Sequence, residues 1–192
     1  MLQKPTFRMI DNYIYLYHTD TFVVLPTYPD SISDTMSTTF SSENPIARSA
    51  PIFAFSNAGP RSLNINLPLH RNMMSQINYG VSNLNIDMGD DYVDTIIKNL
   101  QSISVPRYVA ASKMVNPPMI AVRFGNDIFI KGIVNGSLTC TYSGPILSGG
   151  RYAQVEVSFT VTEIDPYSAE TIAQQGSFRG FSTTLERNIY KV

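Results

Sequence analysis

Tryptophan is absent from this 192-residue chain, cysteine occurs once and histidine twice. The single Cys140 excludes an internal disulfide. It lies in an alternating apolar segment, where a lone cysteine reads as a small buried hydrophobe. With only His18 and His70 besides, and no HxxxH or CxxC spacing, no transition-metal site of the usual form can be written. Charge is scarce too: Asp, Glu, Lys and Arg make up 15% of residues, against about 25% in a typical soluble domain. A bare monomer surrounds itself with charge, so the shortage points to a surface covered in part by other subunits; a monomer with a Ser/Thr/Asn-rich surface has the same composition.

Other absences narrow the function further. The net charge is −1, and Arg48, Arg61, Arg71, Arg107 and Arg123 are scattered, so no basic footprint for gripping nucleic acid exists. No run of about 20 apolar residues is present, so no membrane-spanning helix is expected. The opening MLQKPTFRMIDNY lacks the charged-then-apolar layout of a signal peptide, which implies use in a cytoplasm. The sequon Asn135-Gly136-Ser137 then reads as a turn. There is no phosphate-binding P-loop, no GxGxxG and no GxSxG elbow. The glycines of Gly144–Gly150 join strands and open no helix. Asp87, Asp90, Asp91 and Asp94 cluster, but their spacing does not fit a calcium loop and helix capping explains them. No cofactor or metal is implied. A spatial triad around His18 or His70 is left open by the residues alone, though no motif supports an enzyme.

What is present is β pattern. Tyr13–Tyr17 and Thr21–Leu25 are rich in aromatic and β-branched residues, with Asp20 to turn the chain between them. The polar stretch from Tyr28 to Pro45 predicts a long loop (about 26–47) carrying a short strand near Met36–Phe40. Loops of that length are functional or become ordered by a partner. Ile52–Phe55 predicts a short strand and Asn57–Pro60 a turn. Leu63, Ile65, Leu67 and Leu69 alternate with polar residues, the period of a half-buried strand, and Pro68 places its end at an edge or bulge. Val93, Ile96, Ile97 and Leu100 form one apolar stripe of a helix over about 90–102, which Val105-Pro106 should stop.

After Pro117 the chain reads as antiparallel sheet. Met119–Phe124 is a strand, Gly125-Asn126 a turn, and Asp127–Tyr142 one long strand or two, bent at Gly132 or Gly136. Ser143–Gly150 reads as a loop. Tyr152–Ile164 alternates without a fault. Twelve residues at roughly 3.3 Å each span about 40 Å, long for a globular strand. Residues 166–192 form a C-terminal arm, with a short helix at Ser168–Gln175.

The ordered series Pro117-Pro118, Phe124-Gly125, Phe129, Lys131-Gly132, Tyr142, then Ala153-Val155-Val157-Phe159 closing on Glu163, resembles the tube proteins of contractile injection systems. Upstream, Arg48–Ile52, Gly59-Pro60-Arg61 and the alternating leucines resemble the first half of tail-tube and tube-initiator proteins of contractile-tailed bacteriophages. The likeness covers roughly residues 35–165. It implies a mainly β fold with one flanking helix over 1–165, a tail-tube-like β-sandwich or partial barrel that assembles into a ring, usually of six copies. It implies a structural virion protein of the tail or baseplate, put together in the host bacterial cytoplasm. Its neighbours would be its own copies, the tail tube protein, the baseplate hub and other baseplate proteins, with a tape-measure protein or sheath initiator in reach. DNA would be a transient, non-specific passenger. Residues 166–192 are too short for the LysM-like module that many relatives carry, so no cell-wall binding is expected. A repeating tube subunit and a β-sandwich binding module for carbohydrate or a protein partner stay open beside the tube-initiator reading.

Overall fold

Aromatic and β-branched residues dominate the start of the chain, and there the first two strands form. In the computed structural model, which describes residues 12–25, 28–74, 91–109, 114–125, 127–164 and 168–174, β1 (Asn12–Leu16) turns back into β2 (Thr21–Val24). Asp20 in that turn takes φ 53°, a left-handed angle that a short polar side chain tolerates. Its carboxylate accepts a hydrogen bond from the Tyr15 hydroxyl at 2.5 Å. Next come β3 (Ile32–Thr35), β4 (Thr38–Glu43), β5 (Ile52–Ala58) and β6 (Ser62–His70), followed by a single turn, α1 (Arg71–Met74). Beyond them lie α2 (Tyr92–Ser102), β7 (Arg107–Val109), β8 (Met114–Asn116), β9 (Met119–Phe124) and β10 (Ile128–Val134). β11 (Thr139–Ile146), β12 (Tyr152–Glu163) and α3 (Ala169–Gln174) complete the described chain.

Eight strands make one sheet in the order β2-β1-β9-β10-β12-β6-β3, with β11 on β12 beyond the end of β10. All its pairings are antiparallel. β12 spans the sheet. Its last residues pair with β10 (Gly132↔Glu163), its first half pairs with β11, and β6 runs beside it from Ser62 to His70. The stretch Asp127–Tyr142 is thus two strands, broken around Gly136 at φ 94°. The β4–β5 and β7–β8 pairs are separate two-stranded hairpins.

Burial divides the sheet in two. β1 is buried at all five positions and β9 from Ile120 to Phe124, so this half is covered on both faces. β6 and β12 instead alternate: Leu63, Ile65, Leu67, Leu69, Val155, Val157, Phe159 and Val161 are buried, while their neighbours face outward. α2 packs Val93, Ile96, Ile97 and Leu100 into the same core, the stripe expected of them. Asp91 caps it, accepting from the Val93 N–H at 2.9 Å.

Three expectations need correction. The long loop expected over 26–47 carries two strands, β3 and β4, in place of one short strand at Met36–Phe40. β5 runs on to Ala58, through half of the turn expected at Asn57–Pro60. Ser143–Gly150 is not all loop, because β11 continues to Ile146 across a cis Gly144-Pro145 bond and a register shift. α3 falls inside the helix expected at Ser168–Gln175; residues 175–192 lie outside the described residues.

Candidate functional site

The ribbon from Pro117 to Gly132 is a hairpin entered through two prolines. Neither proline can donate to a ladder, so both sit in the break between β8 and β9. The Met119 N–H bonds the Pro117 carbonyl at 2.9 Å and sets the strand's entry. Phe124, buried, ends β9 opposite Ile128, and Gly125 takes φ 60° in the turn. Phe129 stands opposite Arg123 on β10.

Gly132 and Glu163 face each other across β10 and β12. There the strands approach so closely that a Cβ on Gly132 would lie 2.2 Å from the Thr162 carbonyl oxygen. Arg61 reaches the same place. Its guanidinium forks onto Asp34, with Nε at 2.9 and 3.0 Å from the two carboxylate oxygens and Nη2 at 2.6 Å. Nη1 donates to the Phe129 carbonyl at 3.3 Å and lies 3.9 Å from Glu163 Oε2. Phe129 and Gly132 of β10, Glu163 of β12 and Arg61, from three separate parts of the sequence, therefore converge at one crossing. Asp34 belongs to it and was hidden in a polar stretch that reads as loop.

The remaining residues named from the sequence lie elsewhere. Val155 and Val157 are fully buried core, and Tyr142, opposite Val155, is 48% exposed. Toward solvent, β6, β11 and β12 present Asn64, Asn66, Pro68, His70, Thr139, Thr141, Ser143, Gln154, Glu156, Ser158 and Thr160, by their registers on one face. Glu156 is the single charge in that set, and it accepts from Asn66 Nδ2 at 2.5 Å. Among the described strands, none lies beyond β11 on its outer side, and β3 covers only Ser62–Ile65 of β6.

A second cluster ties the far end of this sheet to α2. Arg71 is 8% exposed; it bonds Asp91, Asp94 at 2.7 Å and the Tyr152 carbonyl at 2.7 Å. Arg151 joins Asp91 at 2.8 Å and Asp94 at 3.1 Å. Burial alone would raise the Asp91 pKa, but the bonds from Arg151, Arg71 and the Val93 N–H outweigh it and hold the carboxyl below its ordinary value. The aspartates cap the helix as expected and also carry this bridge, which their spacing does not announce.

His18 is buried in the β1–β2 turn, and its carbonyl accepts from Arg107 at 3.1 Å. Burial lowers its pKa, with Arg107 adding to the effect and a backbone hydrogen bond at Ser102 opposing it. Cys140 is half-buried against the core, and burial pushes its thiol up. No group of three His, Cys, Asp or Glu side chains gathers as a metal site among the described residues. No described helix is long and apolar enough to cross a membrane.

Two exposed clusters are apolar. On the β4–β5 hairpin, Phe40, Phe53 and Phe55 are 56%, 65% and 61% exposed. At the β11–β12 end, Tyr142, Ile146 and Tyr152 are exposed together. Neither a protein-family model nor a curated protein matches the chain.

Proposed function

We propose that the chain is a structural subunit of a contractile phage tail, forming a ring that connects the baseplate hub to the tail tube and initiates tube assembly around the DNA channel. The sheet would close with its neighbours as part of a β-sandwich or partial barrel, and the ring would hold about six copies, as the resemblance implies. One observation carries the reading. The β11–β12–β6 part of the sheet couples an uncovered outer strand to an outward face dominated by amides and hydroxyls, with no Lys or Arg.

An uncovered strand edge invites pairing, and a closed ring uses that edge productively. Phosphate affinity scales with the cations presented, so a face bearing Glu156 and no Lys or Arg lets DNA slide. The tail tube protein and the baseplate hub are the partners this position requires, and the virion is its location. A repeating tube subunit would use the same surfaces and differs in what stacks on it. A β-sandwich binding module for carbohydrate or a protein partner is the alternative reading, and it predicts a chain that stays monomeric.

The oligomer's mass tests the reading. Native mass spectrometry of the purified full chain is expected to give one discrete closed oligomer, near six copies. A monomer at every concentration, alone and with the tube protein added, overturns it.

A further inference from the structure

The β4–β5 hairpin projects from the Ser62 end of β6: Thr35 on β3 pairs with Ser62, and the Gly59 N–H bonds the Ser37 carbonyl at 2.7 Å. Beyond that base every residue from Thr38 to Ala58 is exposed. An isolated two-stranded hairpin is marginal in water, so this one needs a surface to lie on. Its registers, Phe40↔Phe55 and Ser42↔Phe53, put three phenylalanines on one face. The Phe40 and Phe55 rings meet edge to face at 5.6 Å. Glu43 and Arg48 are the only charges between residues 36 and 58.

The exposed aromatic area matches a functional surface patch and supplies under half of one partner's share of a stable interface. At their observed exposures the three rings leave roughly 350 Å² in water. The largest apolar patch on an ordinary monomer is about 300–600 Å² and usually functional. One partner's share of a stable interface is about 800 Å². Ile46 at the tip, fully exposed, and Ile52 add to the arm's contribution.

A matching surface sits at the other end of the same sheet. His70 pairs with Gln154, and just past that pair Tyr152 stands opposite Ile146, with the Tyr142 ring 6.0 Å from the Tyr152 ring. The nine residues of β6 separate the two ends by about 27 Å. We infer that the aromatic face of the β4–β5 arm of one copy docks on the Tyr142–Ile146–Tyr152 surface of a second copy, joining copies head to tail. Each copy carries both halves of the joint at opposite ends, so the contact is heterologous and propagates. Such contacts close into rings where the rotation allows and otherwise run as filaments. This deepens the ring reading and rests on it only for closure.

Two double variants of the full chain test the joint. Phe40→Ser with Phe55→Ser disables the arm, and Tyr142→Ser with Ile146→Ser disables the receiving end. All four side chains are exposed, so both proteins should melt like the wild type. In sedimentation velocity the wild type is expected to grow with concentration, and each variant to associate at least tenfold more weakly. An equimolar mixture should stop at heterodimers, since each retains one working half. A wild type that stays monomeric, variants that associate as the wild type does, or a mixture without heterodimers overturns the inference. A cysteine pair, Phe53→Cys with Tyr142→Cys in a Cys140→Ser background, separates the occupants. Oxidation should give a ladder of linked chains; a bond within one chain means the arm lies on its own molecule and contradicts the proposal. If heterodimers form while micrographs of the wild type show open filaments, the joint stands and the ring falls.

Discussion

Gly132 on β10 faces Glu163 on β12, and a Cβ at Gly132 would lie 2.2 Å from the neighbouring Thr162 carbonyl oxygen. The obstacle is backbone, so a side chain there forces β10 and β12 apart at the crossing that also holds Arg61. Gly132→Ala is expected to destabilise by about 2–3 kcal/mol, at the upper end of overpacking costs. For a chain of this length that lowers Tm by roughly 5–10 °C. An unchanged thermal midpoint would show that the strands have room to part.

Val157→Asp tests which face of β12 is the core. Val157 is fully buried between Leu67 and Cys140 on the flanking strands. An unpaired carboxylate there costs several kcal/mol. The variant should be insoluble or lack a cooperative melt by circular dichroism. Thr139→Asp on the opposite face, exposed and across from Ser158, should melt like the wild type.

The Arg71 bridge predicts an unequal pair of arginines. Arg71 is 8% exposed, and removing it leaves Asp91 and Asp94 only the 52%-exposed Arg151 as a cation and leaves the Tyr152 carbonyl without its guanidinium donor. Arg71→Ala should cost about 3 kcal/mol in urea unfolding and Arg151→Ala less than about 1 kcal/mol. Equal losses would mean that the buried arginine does not organise the cluster.

His18 gives a pH dependence of known sign. Its folded pKa lies below the ordinary value near 6.5 because burial disfavours the imidazolium. As pH falls through 6.5 the unfolded chain takes up a proton that the folded chain refuses, so stability drops until the folded pKa is reached and then levels. Urea midpoints for the wild type should fall between pH 7.5 and 5.5, and His18→Gln should flatten that part of the profile. A variant with the wild-type slope would assign the titration to another group.

Elements whose burial follows a local period were readable in the sequence. Val155, Val157, Phe159 and Val161 alternate because one face of β12 is dry, and Val93, Ile96, Ile97 and Leu100 recur at helical spacing for the same reason. Strands without such a period were not. β7 and β8 have three residues each, too few for alternation to register. The Arg61–Asp34 and Arg71–Asp91 bridges join residues 27 and 20 apart, and no spacing rule connects them. Strands were expected at Met36–Phe40 and Ile52–Phe55, but their pairing into an exposed β4–β5 arm was the largest omission. Its polar residues suit a loop, and Phe53 and Phe55 suit a buried strand; an exposed aromatic hairpin satisfies both patterns and belongs to neither.

Whether copies of this chain close around a channel is decided most directly by imaging. Negative-stain micrographs of the purified full chain, concentrated and then with tube protein added, are expected to show annular particles with an open centre. Uniform compact particles of monomer size under both conditions would contradict the ring.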